Sequence, residues 1–326
     1  MRRRAFHRTL AAIPVSVALG ATAQSKRPLR VAWVSAERKD RPSQNYAAFR
    51  TGMRELGYAE GRDLYIKTWW GEGSRDQLES LVPEMLRAQP DVLLASGGLA
   101  LGALIRSGVE LPVVFSVSAD PVAAGFVQTF ARPGANMTGV SLFTLALVGK
   151  RLEILKDILP GARTVALIAN PQHPGESQEF DAAKGAAARL GLAVRYFPVK
   201  GESELDAAFA DIARQGDDAI VAFADGFTMT FASQIAAFSL QHRIPAIDGW
   251  AEFAQQGNLL IYGPVIQEVH HRLATYVDKI GRGAKPADLP VELPTLIELV
   301  LNLKTARAIG LRIPGTVLQR ADRVIE

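Results

Sequence analysis

The feature that most narrows the fold is a repeat: one succession of short apolar strands and amphipathic helices runs through the chain twice. In the first half, residues 29–35 read as a strand, 46–56 as a helix stopping at Gly57, and 63–68 as a second strand. A helix at 75–88, a strand at 92–95, a helix at 99–107 and a strand at 112–115 follow. The second half repeats the order. A strand at 165–169, a helix ending near Leu190 and Gly191, a strand at 194–197 and a helix at 202–214 lead to a strand at 219–223, a helix after Thr228 and a strand at 245–247. Val31 aligns with Val165, and Gly57 with Gly191, at the same offset of 134 residues. Apolar strands flanked by amphipathic helices imply parallel sheets covered on both faces. The expected fold class is α/β, with two Rossmann-like lobes rather than one long sheet.

Right-handed crossovers put every strand's C-terminal end on one edge of its sheet. Ligands bind outside such edges, where backbone N–H groups at helix N-termini are available. The informative loops are therefore 35–45, 69–74, 96–98 and 116–121 in the first half, and 170–177, 224–228 and 248–252 in the second. Their composition suits an organic ligand with polar ends. Gly97 and Gly98 allow close backbone approach, Ser35, Ser116, Ser118 and Asp120 offer hydrogen-bond partners, and Trp70, Phe227, Trp250 and Tyr262 offer apolar surface. Asp120 or Asp225 suits an amino group. Competing local roles stand beside these: Asp120 before Pro121, and Asn170 before Pro171, also fit turns or caps. Gly97 and Gly98 fit a plain turn, and adjacent Trp69 and Trp70 face opposite sides, so that one belongs to the core.

The N-terminus narrows the setting. Residues 1–8 carry four arginines and no acid, an apolar run 9–20 follows, and Ala21, Thr22 and Ala23 close the segment. This reads as a secretory signal peptide over 1–23, and the apolar run is shorter than the roughly 20 residues that span a bilayer. Arg3-Arg4-Ala5-Phe6 also resembles a twin-arginine signal, which leaves the export route open. The chain has 37 Lys+Arg against 33 Asp+Glu, and removal of the leader leaves 33 against 33. No case remains for binding nucleic acid or an anionic membrane, and no apolar run is long enough to predict membrane insertion. Cysteine is absent, which excludes disulfides, thiolate metal sites and a lipid anchor on the leader, and the expected address is the periplasm. No cofactor and no metal are expected.

A secreted α/β enzyme is the rival from another class. Against it, the chain lacks a G-x-S-x-G elbow, a P-loop and an H-E-x-x-H cluster. Of its five histidines, His7 lies in the leader, His270 and His271 on a helix, and His173 and His242 in loops, where solvation is the usual state. A third reading is a soluble ligand sensor feeding a receptor. Neither a helix-turn-helix nor a transmembrane helix marks a repressor or a receptor.

The stretch Ala131-Arg-Pro-Gly-Ala-Asn-Met-Thr-Gly-Val140 resembles the signature of the ABC transporter substrate-binding protein family, which includes tryptophan- and phenylalanine-binding members. Tyr58-Ala-Glu-Gly61, Asp120-Pro-Val122, Lys150-Arg-Leu-Glu-Ile-Leu155, Asn170-Pro171, Lys285-Pro-Ala-Asp-Leu-Pro290 and Leu301-Asn-Leu-Lys-Thr-Ala-Arg-Ala-Ile-Gly310 match in the same order. The resemblance implies a type I periplasmic-binding-protein fold with three crossing segments. Lobe 1 is then 28–143 plus 258–285, and lobe 2 is 144–257 plus 286–326. It also implies a small-molecule ligand, an amino acid or related compound with aromatic ones among the candidates, bound by hinge closure, and a membrane permease that receives the loaded form. A monomer is the default for a protein that closes and docks. Carried over by position, the ligand-facing residues follow the strand at 92–95 and include the Ser116 to Asp120 loop, Asn170, Asp225 and the Tyr262-Gly263 pair. Where relatives have Gly followed by a hydroxyl residue, this chain has Gly97-Gly98, which leaves the partner of a ligand carboxylate open.

Overall fold

The computed structural model describes residues 27–40, 44–142 and 144–326; the leader expected over 1–23 lies outside the described residues. The first lobe runs β1 (Leu29–Ser35), α1 (Gln44–Glu55), β2 (Leu64–Trp70), α2 (Arg75–Arg87), β3 (Val92–Ser96), α3 (Gly98–Arg106), β4 (Val113–Val117) and β5 (Met137–Ser141). The chain then crosses to α4 (Thr144–Ile158), β6 (Thr164–Ala169), α5 (Glu176–Arg189), β7 (Ala193–Pro198), α6 (Glu202–Gln215), β8 (Ala219–Ala222), α7 (Gly226–Met229) and α8 (Ala232–His242). β9 (Ala246–Asp248), α9 (Ala251–Gln255) and β10 (Leu260–Pro264) complete that run. The return passes through α10 (Ile266–Gly281), and β11 (Ile297–Asn302), α11 (Leu303–Ala308), α12 (Gly315–Leu318) and β12 (Arg323–Ile325) end the chain.

Five strands form one sheet in the order β2-β1-β3-β4-β5, and seven form the other in the order β12-β11-β10-β9-β8-β6-β7. The first sheet and the β7-β6-β8-β9-β10 part of the second share one topology, as the internal repeat requires. All pairs among these strands are parallel, while β10 and β11 pair antiparallel. Central strands are buried on both faces: on β3, Leu93 packs into one hydrophobic cluster and Leu94 into another, and both are fully buried. Each such side chain contributes about 1.5–3 kcal/mol.

The lobes exchange helices. α4 follows the last strand of lobe 1 yet packs on α5 and β10 of lobe 2, whereas α10 follows the last strand of lobe 2 yet packs on α1 of lobe 1. Gly52 on α1 permits that contact, because a Cβ there would lie 2.6 Å from the His271 carbonyl oxygen.

Two segments differ from the boundaries expected at 258 and 286. Leu260 pairs with Ile247 of β9 and with Leu301 of β11, so residues up to Pro264 belong to lobe 2. Residues 286–292 return to lobe 1: the Thr138 hydroxyl donates to the Leu289 carbonyl at 2.7 Å, and Val140 bridges Glu292. The reason is the repeat itself. β10 is the fifth strand of its own half, as β5 is of the first, and each half crosses only after completing five strands.

Candidate functional site

The C-terminal edges of both sheets face one another, and the loops leaving them meet directly. The Ser118 hydroxyl, after β4, lies 2.8 Å from His173 Nε2, after β6. A Cβ on Gly98 would fall 2.6 Å from that same nitrogen, and one on Gly175 would fall 2.7 Å from the Ala119 Cβ. Trp250, at the start of α9, packs into the cluster built on Trp33 and Phe49 of lobe 1.

Outward from this junction the cleft widens into a groove. One cavity of about 690 Å³ lies between the loops after β2 and those after β7 and β8, lined by Arg38, Glu72, Arg75, Lys200, Phe227 and Phe231 among others. A second, of about 400 Å³, is lined by Asn45, Met229, Trp250 and Glu252, and shares Arg38, Thr230 and Ser233 with the first. Charges of both signs with aromatic rings suit a zwitterion carrying an apolar body.

Several expected site residues arrive at this cleft. Gly97 has φ +97° and no atom within 4 Å of a notional Cβ, so the backbone turn demands glycine there, whereas Gly98 is required by the approach of His173. Asn170 is buried; its Oδ1 accepts from the Gln172 amide at 2.9 Å, while its Nδ2 finds no partner among the described residues. Asp225 caps α7 by accepting from the Thr228 amide at 2.7 Å, and burial pushes its carboxyl above the usual range. Trp250 Nε1 likewise lacks a partner among the described residues. Such buried groups are costly unless something hydrogen-bonds them. Phe227 lines the larger cavity.

Others hold backbone or neighbouring side chains. Ser35 accepts from the Glu37 amide at 3.1 Å, and Asp120 from the amides of Val122 and Ala123 at 2.9 and 3.1 Å. Trp69 is the core member of its pair, and Trp70 packs edge-on against Tyr46 at 6.3 Å. Ser116 and Ser96 both turn to His270 Nε2, at 3.1 and 3.0 Å, so the ligand contact expected of Ser116 gives way to one with α10. His270 Nδ1 lies 2.9 Å from the Ile266 carbonyl and donates to it, which leaves Nε2 to accept from the hydroxyls, and burial pulls the imidazole down to about 4. Tyr262 packs in the lobe 2 core on the α4 side, and Gly263 presses on Gly249, where a Cβ would fall 1.8 Å from its carbonyl oxygen. Of the expected Tyr262-Gly263 pair, neither residue lines either cavity, and both pack within lobe 2.

Beneath the lobe 2 edge sits a buried charge cluster. Arg151 on α4 is fully buried, donates from Nε to the Tyr262 carbonyl at 2.8 Å, and lies 3.5 Å from Glu179. Asp248 accepts from the amides of Gly249 and Trp250. Burial pushes Glu179 up to about 8 and Asp248 up to about 7, against the pull of the guanidinium. Two buried acids thus share one arginine that supports the floor of the cleft. Sequence inspection missed Arg151, although its place in the stripe of Val148, Leu152 and Leu155 marks an inward-facing position. It also treated His173 as a solvated loop residue, whereas His173 is only 7% exposed.

Among the described residues no group of His, Asp and Glu could hold a metal ion, and no helix is long and apolar enough to cross a membrane. A sequence profile described as ABC transporter substrate binding protein matches residues 37–325. A tyrosine-binding protein from Clostridioides difficile (strain R20291) is 20% identical over 264 residues, 81% of this chain and 76% of that protein. The crystal structure of an ABC domain in complex with L-Trp from Streptococcus pneumoniae superposes with a TM-score of 0.84 at 22% identity, covering 91% of this chain and 100% of that one. A conserved domain protein from Vibrio cholerae gives the same TM-score at 24% identity and the same coverage of both chains. These likenesses establish the type I periplasmic-binding-protein fold.

Proposed function

Because this chain belongs to the ABC transporter substrate-binding protein family, a family of binding proteins rather than enzymes, we propose that it captures an amino acid or related zwitterion, preferably aromatic, in the cleft between its lobes. The observation that carries the reading is a groove lined by both signs of charge and by Phe227 and Phe231, with the buried and unpartnered Trp250 Nε1 on the wall of the adjoining cavity. The names of two relatives, one tyrosine-binding and one in complex with L-Trp, support the aromatic preference. On this reading Gly97, Gly98, Ser118, Asn170, Asp225, Phe227 and Trp250 contact the ligand or shape its site. Closure brings lobe 2 groups onto a ligand held by lobe 1, so binding shifts the open and closed populations by the difference in affinity between them. The loaded protein, exported to the periplasm, would hand its ligand to a membrane permease for import.

The test is a thermal-shift screen of residues 24–326 against L-tryptophan, L-tyrosine, L-phenylalanine, small carboxylates, nucleosides and sugars. At a hundredfold excess over Kd an aromatic amino acid should stabilise the fold by about 2.7 kcal/mol and be recovered unchanged. A shift only with sugars or nucleosides would sink the amino-acid reading. Trp250→Ala should then weaken the ligand about tenfold by calorimetry, since it removes both an aromatic wall and an unpartnered donor. An unchanged Kd would remove Trp250 from the site.

A further inference from the structure

We propose that His173 is a latch, closing the cleft through a bond between the chain's own side chains, so that the closed form is favoured before any ligand contributes and is released by acid. The inference rests on the cleft-closure reading above and adds to it a residue that sets the closing equilibrium.

The geometry comes from both lobes. The Gly175 amide donates to His173 Nδ1 at 3.2 Å, which fixes the neutral ring with its proton on Nε2. That N–H then points at the Ser118 hydroxyl, 2.8 Å away in the other lobe. On the lobe 1 side the ring needs the space left by Gly98, where a Cβ would stand 2.6 Å from Nε2 and 2.8 Å from Cδ2. On the lobe 2 side the next turn presses Gly175 against Ala119. Three places on two lobes are thus shaped to one imidazole, and none is a generic surface contact. Pro171 and Pro174 flank the ring in the sequence and stiffen the loop that carries it.

Acid acts on the latch because opening exposes the ring. In the closed form burial holds the imidazole below its ordinary value, against the opposing pull of Asp225 after β8 and Glu176 on α5. From lobe 1, Gly98, Ser118 and Ala119 bring no charge, and the adjacent Asp120 is engaged by backbone amides. A proton on Nδ1 would also displace the Gly175 amide. The open form therefore binds the proton more readily, and the ratio of open to closed protein should rise by up to about tenfold for each pH unit below about 6.5.

The absence of cysteine allows a direct test. Spin labels at Ser80→Cys on α2 and Ala210→Cys on α6, both exposed, report the separation of the lobes by pulsed dipolar spectroscopy. His173→Ala removes one inter-lobe hydrogen bond and should raise the open fraction about fivefold. G98A, whose methyl must displace the ring, should raise it at least as much, and His173→Gln, which retains a donor, should restore closure. Circular dichroism confirms that each variant folds. Lowering the pH from 7.5 to 5.5 should lengthen the distance in the parent and leave His173→Gln unmoved. Equal distance distributions in the parent, H173A and G98A would overturn the latch, as would an acid response that survives in His173→Gln. Neither result touches the ligand reading, which stands or falls on the thermal-shift screen.

Discussion

Arg151→Ala is expected to remove about 3–5 kcal/mol of folding stability, measured by urea denaturation of the mature chain. The guanidinium is fully buried beside Glu179 and near Asp248, and donates to the Tyr262 carbonyl. Truncating one member of a buried ionic cluster leaves the others desolvated without compensation, which is where losses of this size arise. Gly249 is packed so closely on Arg151 that a Cβ there would meet Nη2 and Cζ. The guanidinium therefore also fills space under the loop that presents Trp250. Arg151→Met, which restores volume without charge, should recover less than half of the loss unless Glu179→Gln is added. A loss below about 1 kcal/mol would mean that neither Asp248 nor the Tyr262 carbonyl depends on the guanidinium for compensation.

The same cluster makes stability depend on pH in a definite direction. Glu179 is raised in the folded protein from 4.5 to about 8, so the folded chain holds a proton that the unfolded chain has released. The contribution is fully present below about 4.5 and is lost as pH rises through about 8. Compared with Glu179→Gln, the parent should therefore lose urea stability between pH 5 and 8.5. Parallel curves for the two proteins would place Glu179 in its ordinary range.

Gly263→Ala should be at least as damaging, costing about 4 kcal/mol or more and in the limit abolishing the cooperative transition. Its Cβ would fall 1.8 Å from the Gly249 carbonyl oxygen and 2.7 Å from the carbonyl carbon. Both atoms are backbone, on adjoining segments of one sheet, and no side-chain rotation relieves the overlap. Gly185→Ala is the control: it lies within α5, its Cβ would meet only the far end of Arg189 at 3.9 Å, and it should gain about 0.5–1 kcal/mol. A folded Gly263→Ala with normal stability and lost ligand binding would reinstate the ligand contact expected of that glycine from the sequence.

The repeat made four of the five strands of the first sheet and four of the seven of the second legible, because strand and helix periods are local properties. β1 to β4 and β6 to β9 lie within a few residues of where hydrophobic patterning puts them. β5, β10, β11 and β12 escaped that patterning. β5 follows a long loop, β11 and β12 extend the second sheet beyond the repeat, and β10 pairs with β9 and β11 although its residues fall in the segment 258–285 expected in lobe 1. The loops of the cleft were legible by the same route, since the end of every parallel strand is on the ligand edge. Which side chains in those loops reach the cleft was not. Ser116 and Ser118 are two residues apart on one segment, yet one turns to α10 and the other to the opposite lobe.

From its residues alone, then, the chain determines two α/β lobes of common topology with their binding edges formed by named loops, since alternation, capping and turn chemistry act over a few residues. The tertiary structure decided what those loops do. His173 becomes an inter-lobe contact because Ser118 lies 55 positions away in sequence but 2.8 Å away in space. Arg151 becomes the support of the cleft floor because Tyr262, 111 positions on, accepts its hydrogen bond. Burial of a polar group is set by partners brought from distant segments, and local periodicity carries no record of them.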